Sequence, residues 1–128
     1  MNPTKKIAVA AVLLAAALAG AQAPGIKRAV LQRADVGADR EAVLAKAEIA
    51  VGGETGRHTH PGIEEGYVLS GSTSVEVEGE APRVYKAGDS YTIPYGKVHN
   101  AKVIGSEPAV VLATYIVEKG KPLASPAP

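Results

Sequence analysis

Residues 52–99 read GGETGRHTHPGIEEGYVLSGSTSVEVEGEAPRVYKAGDSYTIPYGKVH, and two patterns run through them. The first is alternation. In Ser74-Val75-Glu76-Val77-Glu78 the valines alternate with polar side chains, which puts one face of a strand in a core and the other in water. Gly79-Glu80-Ala81-Pro82 then turns the chain toward Arg83-Val84-Tyr85, and Ala87-Gly88-Asp89 turns it again toward Tyr91-Thr92-Ile93, so successive hairpins follow. The second pattern is chemical: all three histidines of the protein, His58, His60 and His99, fall inside this stretch.

Residues i and i+2 of a strand share a face, so His58 and His60 can grip one ion from one side. Glu64 follows after Pro61-Gly62, where a bend can bring its carboxylate back toward the same ion. Imidazole and carboxylate suit divalent Fe, Mn, Ni, Cu or Zn, and four protein ligands leave one or two positions for water, oxygen or substrate. A His-x-His pair alone is a weak signal, because such pairs also occur on surfaces that hold no metal.

The neighbours of the histidines strengthen it. Gly52-x5-His58-x-His60-x3-Glu64-x6-Gly71 resembles the first motif of the cupin superfamily at every signature position. Gly88-x5-Pro94-x-Gly96-x2-His99 resembles the second over almost its whole length, and the 16 residues between Gly71 and Gly88 suit the family's spacing. The resemblance, of the quercetin-dioxygenase-like type, implies an all-β single-domain cupin, a double-stranded β-helix or jelly-roll barrel. It implies one divalent transition metal held by His58, His60, Glu64 and His99. Glu65 competes with Glu64 at this bend, but only Glu64 leaves six residues before Gly71. Val103 stands where the family usually carries Asn; by alternation it shares a face with His99 and makes the site more apolar. The resemblance also implies a homodimer formed by packing or exchanging N-terminal strands, an edge that Lys27 to Val51 could supply and that so small a barrel needs covered.

Working outward, 128 residues make one domain. Its hydrophobic residues, 46% of the chain, are mostly Ala, Val, Leu and Ile, with five Tyr and no Phe or Trp, so the core is built from small aliphatic side chains. There is no cysteine, which excludes disulfides, thiolate ligands and cysteine nucleophiles. A net charge of +1, with scattered basic residues and no interleaved aromatic rings, argues against nucleic acid as partner.

At the amino end Lys5 and Lys6 precede an apolar run from Ile7 to Ala19, followed by Ala19-Gly20-Ala21. This is the layout of a secretory signal peptide over residues 1–21, cleaved after Ala21, since a cut after Ala23 would set Pro24 just beyond it. The run is shorter than the roughly 20 apolar residues of a membrane anchor. The expectation is a secreted or periplasmic protein, free of the membrane after cleavage, with 12 basic and 13 acidic residues and a charge of −1. An uncleaved N-terminal helix is the alternative.

Residues 22–39 then form an N-terminal segment with the first strand, residues 40–118 the barrel, and residues 119–128 a flexible tail. Arg40 to Val51 has the composition of a helix, but Val43, Ala45, Ala47, Ile49 and Val51 alternate with Lys46, Glu48 and Ala50, and Gly52-Gly53 ends the stretch as a turn would, so it reads as a strand. Pro108 to Val117 reads as a strand covered on both faces that closes the barrel. Gly120, Pro122, Pro126 and Pro128 keep the tail from extending a sheet. Gly62, Gly71, Gly88 and Gly96 fall where hairpins reverse. Tyr67, Tyr91, Tyr95 and Tyr115 read as strand packing without catalytic work, and Arg57 as a solvated residue pointing away from the histidine face.

The resemblance points to a small-molecule oxidoreductase, dioxygenase-like, with Glu64 as the catalytic proton acceptor. Two other readings keep the same site: Lewis-acid isomerase, lyase or decarboxylase chemistry on a small hydroxy or keto acid, and a periplasmic small-molecule or metal-binding module without catalysis.

Overall fold

The computed structural model describes residues 25–128. The expected signal peptide and its cleavage site at Ala21 lie outside the described residues. Those residues form ten strands and no helix: β1 (Ile26–Val36), β2 (Arg40–Ile49), β3 (His58–Thr59), β4 (Gly62–Ser70), β5 (Ser72–Val77), β6 (Arg83–Lys86), β7 (Ser90–Ile93), β8 (His99–Val103), β9 (Ala109–Glu118) and β10 (Ser125–Pro126). Two five-stranded sheets, in the orders β1-β2-β9-β4-β7 and β10-β3-β8-β5-β6, carry antiparallel pairings throughout. This is the expected all-β single-domain jelly roll.

Alternation builds the interior. Val43, Ala45 and Ile49 of β2 are buried, so period outweighs the helical composition of that segment. Val68, Tyr91, Ile93 and Val111 from one sheet meet Val75 and Ala101 from the other in a continuous core. Against it pack Val77 and Tyr85. Few of these side chains are large, as the composition requires.

Strand β9 differs from its expected place. It lies in the middle of its sheet, between β2 and β4, and buries only Ala109, Val111, Ala113 and Val117 fully. Its other face is half-buried: by register Leu112 sits between Lys46 and Tyr67, and Ile116 between Ala42 and Ile63, so neighbouring side chains give it partial cover.

The tail also departs from expectation. Ser125 and Pro126 pair with Thr59 and His58 and make β10 the edge strand beyond β3. Proline is compatible with an edge because its missing N–H is not required there. The Ala127 amide donates to the Arg57 carbonyl at 3.0 Å, and Arg57 Nε donates to the Pro128 carbonyl oxygen at 2.7 Å.

Two glycines have steric roles. A Cβ at Gly62 would fall 1.9 Å from the Ile116 carbonyl oxygen, so close approach between β4 and β9, not a positive φ, requires glycine there. A Cβ at Gly66 would lie 2.2 Å from the Tyr91 ring, so this bare position in β4 is what lets Tyr91 lie flat across the interior.

Candidate metal centre

The register of the two sheets assembles the centre from four places. His58 in β3 stands directly opposite His99 in β8. His60 follows the end of β3, and Glu64 in β4 faces inward between Ile93 and Tyr115. All four are buried, and one donor atom from each lies within 4.8 Å of every other. Glu65, one residue on, points to solvent and accepts a hydrogen bond from Thr92 Oγ1 at 2.8 Å. Strand alternation therefore settles the choice between the two carboxylates in favour of Glu64.

Each imidazole is oriented by a backbone carbonyl. His58 Nδ1 lies 2.7 Å from the Gly56 oxygen, His99 Nδ1 2.9 Å from the Lys97 oxygen, and His60 Nδ1 2.6 Å from the Leu123 oxygen. A carbonyl can only accept, so Nδ1 carries the proton in all three rings and the Nε2 lone pairs are left for the centre. Glu64 Oε2 lies 2.9 Å from His60 Nε2 and 3.1 Å from His99 Nε2. With neutral rings these are acceptors facing an acceptor, and His60 Nε2 is buried with no hydrogen-bond partner. A cation among them removes the repulsion, so the donor set fits a divalent ion.

Electrostatics agree. Burial, then the neighbouring His99, pushes His58 down to about 4, which keeps its ring neutral. The other Glu64 oxygen, Oε1, accepts a hydrogen bond from Tyr91 Oη at 3.2 Å. Tyr115 stacks at 59° against the His60 ring with 4.6 Å between centroids. Both phenols titrate above their ordinary value, chiefly through burial and then through the charge of Glu64, so both remain protonated.

His58, Glu64 and His99 open into a cavity of ≈ 40 Å³. Ala45, Ala47, Ala101, Ala113 and Val111 form apolar walls, and Tyr91, Tyr115 and Arg28 bring polar groups to it. Val103 is absent from those walls: it lies beyond Ala101 on the same face of β8, opposite Thr73, so the apolar character comes from alanines and not from Val103. Asn100 is buried on the outer face, where it donates to Glu54 Oε2 at 2.7 Å and accepts from Thr55 Oγ1 at 3.1 Å. Arg57 is exposed and paired with Glu78 at 3.0 Å, as a residue facing away from the histidines should be. Tyr67 and Tyr95 are exposed, while Tyr91 and Tyr115 serve the centre and are more than packing.

Fold, motif spacing and donor geometry define a cupin, and residues 45–115 match the cupin domain family, to which this chain belongs. Among characterised relatives it is 32% identical over 111 residues to the germin-like protein subfamily 2 member 2 of Arabidopsis thaliana, a match covering 76% of this chain and 51% of that one, so the chain spans about half of that relative's length. Solved structures with the same fold include KdgF from Halomonas sp., at 26% identity and a TM-score of 0.59 over 72% of this chain and 81% of that one. The polyketide cyclase RemF from Streptomyces resistomycificus also has 26% identity, with a TM-score of 0.64 over 78% of this chain and 70% of that one.

Proposed function

We propose that this cupin is an exported metalloenzyme that oxidises a small molecule by dioxygenase-like chemistry at His58, His60, Glu64 and His99. The supporting observation is a buried cluster of three imidazoles and one carboxylate, of which His58, Glu64 and His99 line a cavity, so that open coordination positions would face it. A bound redox-active ion would supply Lewis acidity and a place for oxygen chemistry. Tyr115 can donate a hydrogen bond to a substrate oxygen, whereas the Tyr91 hydroxyl is committed to Glu64. Glu64 is the carboxylate of the cavity and the group able to accept a substrate proton. Paired with a cation, Glu64 would be a weak base, able to take a proton only from an acidic hydroxyl.

The non-oxidative reading has its own support in the similarity to a protein described as a polyketide cyclase. In either case export through residues 1–21 would place metal loading outside the cytoplasm, and the unpaired edge of β1 would be covered by a second copy. The decisive experiment uses protein purified from the exported fraction and checked by mass for loss of residues 1–21. Stoichiometric iron, manganese, nickel or copper, lost in His99→Ala, with substrate-dependent oxygen uptake is the expected result. Turnover under strict anaerobiosis selects Lewis-acid chemistry; retention of an organic ligand unchanged selects a binding module; absence of metal in both proteins overturns the metalloenzyme reading.

A further inference from the structure

The sandwich is open along one side. Strand β7 ends the first sheet and β6 ends the second, and between these two edges lies a cleft of ≈ 400 Å³. Its floor is apolar and continuous with the core, made by Val75, Val77, Tyr85 and Ile93. Tyr91 lines both this cleft and the cavity of the metal centre, and its hydroxyl donates to Glu64, so its ring stands as the partition between the two spaces. The cleft falls within the range of about 300–1,000 Å³ typical of small-molecule sites, whereas the ≈ 40 Å³ beside the centre does not.

Its charges invert the usual pattern of a strand. Arg83 pairs with Val75 in register and stands two residues from Tyr85, so it occupies the inward face of β6, while Val84 between them is 64% exposed. A cation is thereby set over an apolar floor and a valine in water. Glu80, in the turn between β5 and β6, is the other charged residue lining the cleft. Among the described residues no hydrogen bond or ion pair engages either side chain, so the two charges are matched neither by each other nor by a neighbour. A simple anion would satisfy Arg83 and leave Glu80 unmatched, and a simple cation would do the reverse. A molecule that carries both charges close together satisfies both, with the guanidinium fork taking a carboxylate through two parallel hydrogen bonds. The tilted rings of Tyr85 and Tyr91, 5.2 Å apart at 50°, offer an apolar or aromatic group a surface to pack on.

We infer that the cleft between β6 and β7 binds a free α-amino acid with an apolar or aromatic side chain, its carboxylate on Arg83, its ammonium on Glu80 and its side chain against Tyr85. The site shares no residue with the metal donors and stands whether or not the centre is catalytic. Arg83 and Glu80 are both exposed, so replacing either leaves the core packing as it is.

Calorimetric titration tests it with three probes: phenylalanine, phenylalaninamide, which lacks the carboxylate, and N-acetylphenylalanine, which lacks the ammonium. The proteins are the native sequence, Arg83→Gln and Glu80→Gln, each checked for unchanged β-sheet circular dichroism. Phenylalanine should bind the native protein, and at least tenfold more weakly to either variant. Phenylalaninamide should be indifferent to Arg83→Gln and N-acetylphenylalanine to Glu80→Gln, because each probe already lacks the group that the substituted residue holds. Removing metal with a chelator should leave phenylalanine binding unchanged. Equal binding of the three probes to the native protein overturns the paired-charge assignment. Loss of binding with the metal places the ligand at the centre and overturns the cleft. No binding of phenylalanine to the native protein overturns the site, and Arg83 then serves as an inward charge that guards the edge of β6 against pairing with another chain.

Discussion

Removing one oxygen atom tests how Glu64 is held. Tyr91→Phe keeps the ring that lies across Gly66 but deletes the hydroxyl that donates to Glu64 Oε1, leaving a buried carboxylate oxygen without its donor. An unsatisfied buried group costs about 1–3 kcal/mol, and loss of an outer partner to a metal ligand typically costs about 10–100-fold in affinity. The variant is therefore expected to fold and to hold metal at least tenfold more weakly in a chelator competition. Unchanged affinity would mean that Glu64 does not depend on this bond. The sign of the acid response follows from His58. Because its folded value lies near 4, below the ordinary 6.5, the unfolded chain takes up a proton that the folded chain refuses. The resulting stability is complete above about pH 6.5 and is lost as pH falls through 4, so denaturant midpoints of metal-free protein should decline across that window. A flat profile would show that His58 is not buried in neutral form. The four donors were legible in the sequence because strand period and motif spacing carry them locally. The roles of Tyr91 and Tyr115 were not, because Tyr115 meets Glu64 only through the pairing of β4 with β9, and a strand tyrosine has no local mark separating packing from a hydrogen bond to a ligand.

At the scale of elements, the strands around the centre followed from alternation, while the tail did not. Its prolines and glycine describe how it cannot be regular, but the atom that matters is the backbone carbonyl of Leu123, and a carbonyl has no signature in a sequence. The short strand β10 brings that carbonyl to His60 and also covers the free edge of β3. A chain ending at Lys121 should keep its β-sheet circular dichroism, because the core side chains all precede that point. Its metal affinity should fall by about 10–100-fold, since the His60 ring is no longer fixed in one tautomer and orientation. Equal affinity in the shortened chain would show that the tail is only a cover.

For the whole molecule, the exposed strand β1 sets the expectation. It ends its sheet on one side, and Val30, Leu31 and Val36 are 48%, 49% and 44% exposed. An unpaired edge of this length carrying apolar side chains is a template for a second chain. The protein should sediment as a dimer, and Leu31→Lys, placed where the register shifts between Val30 and Gln32, should shift it toward monomer without loss of the fold. Sedimentation as a monomer at micromolar concentration would reject the dimer.

The bond between His60 and the Leu123 carbonyl joins groups 63 residues apart in the chain. Synthesis proceeds from the amino end, so His60 exists well before its partner carbonyl has been made. During that interval its imidazole can take either tautomer and offer either nitrogen to any ion it meets. A cation that met the growing chain would find an unfinished set of donors, and the full set would exist only once residue 123 has reached His60.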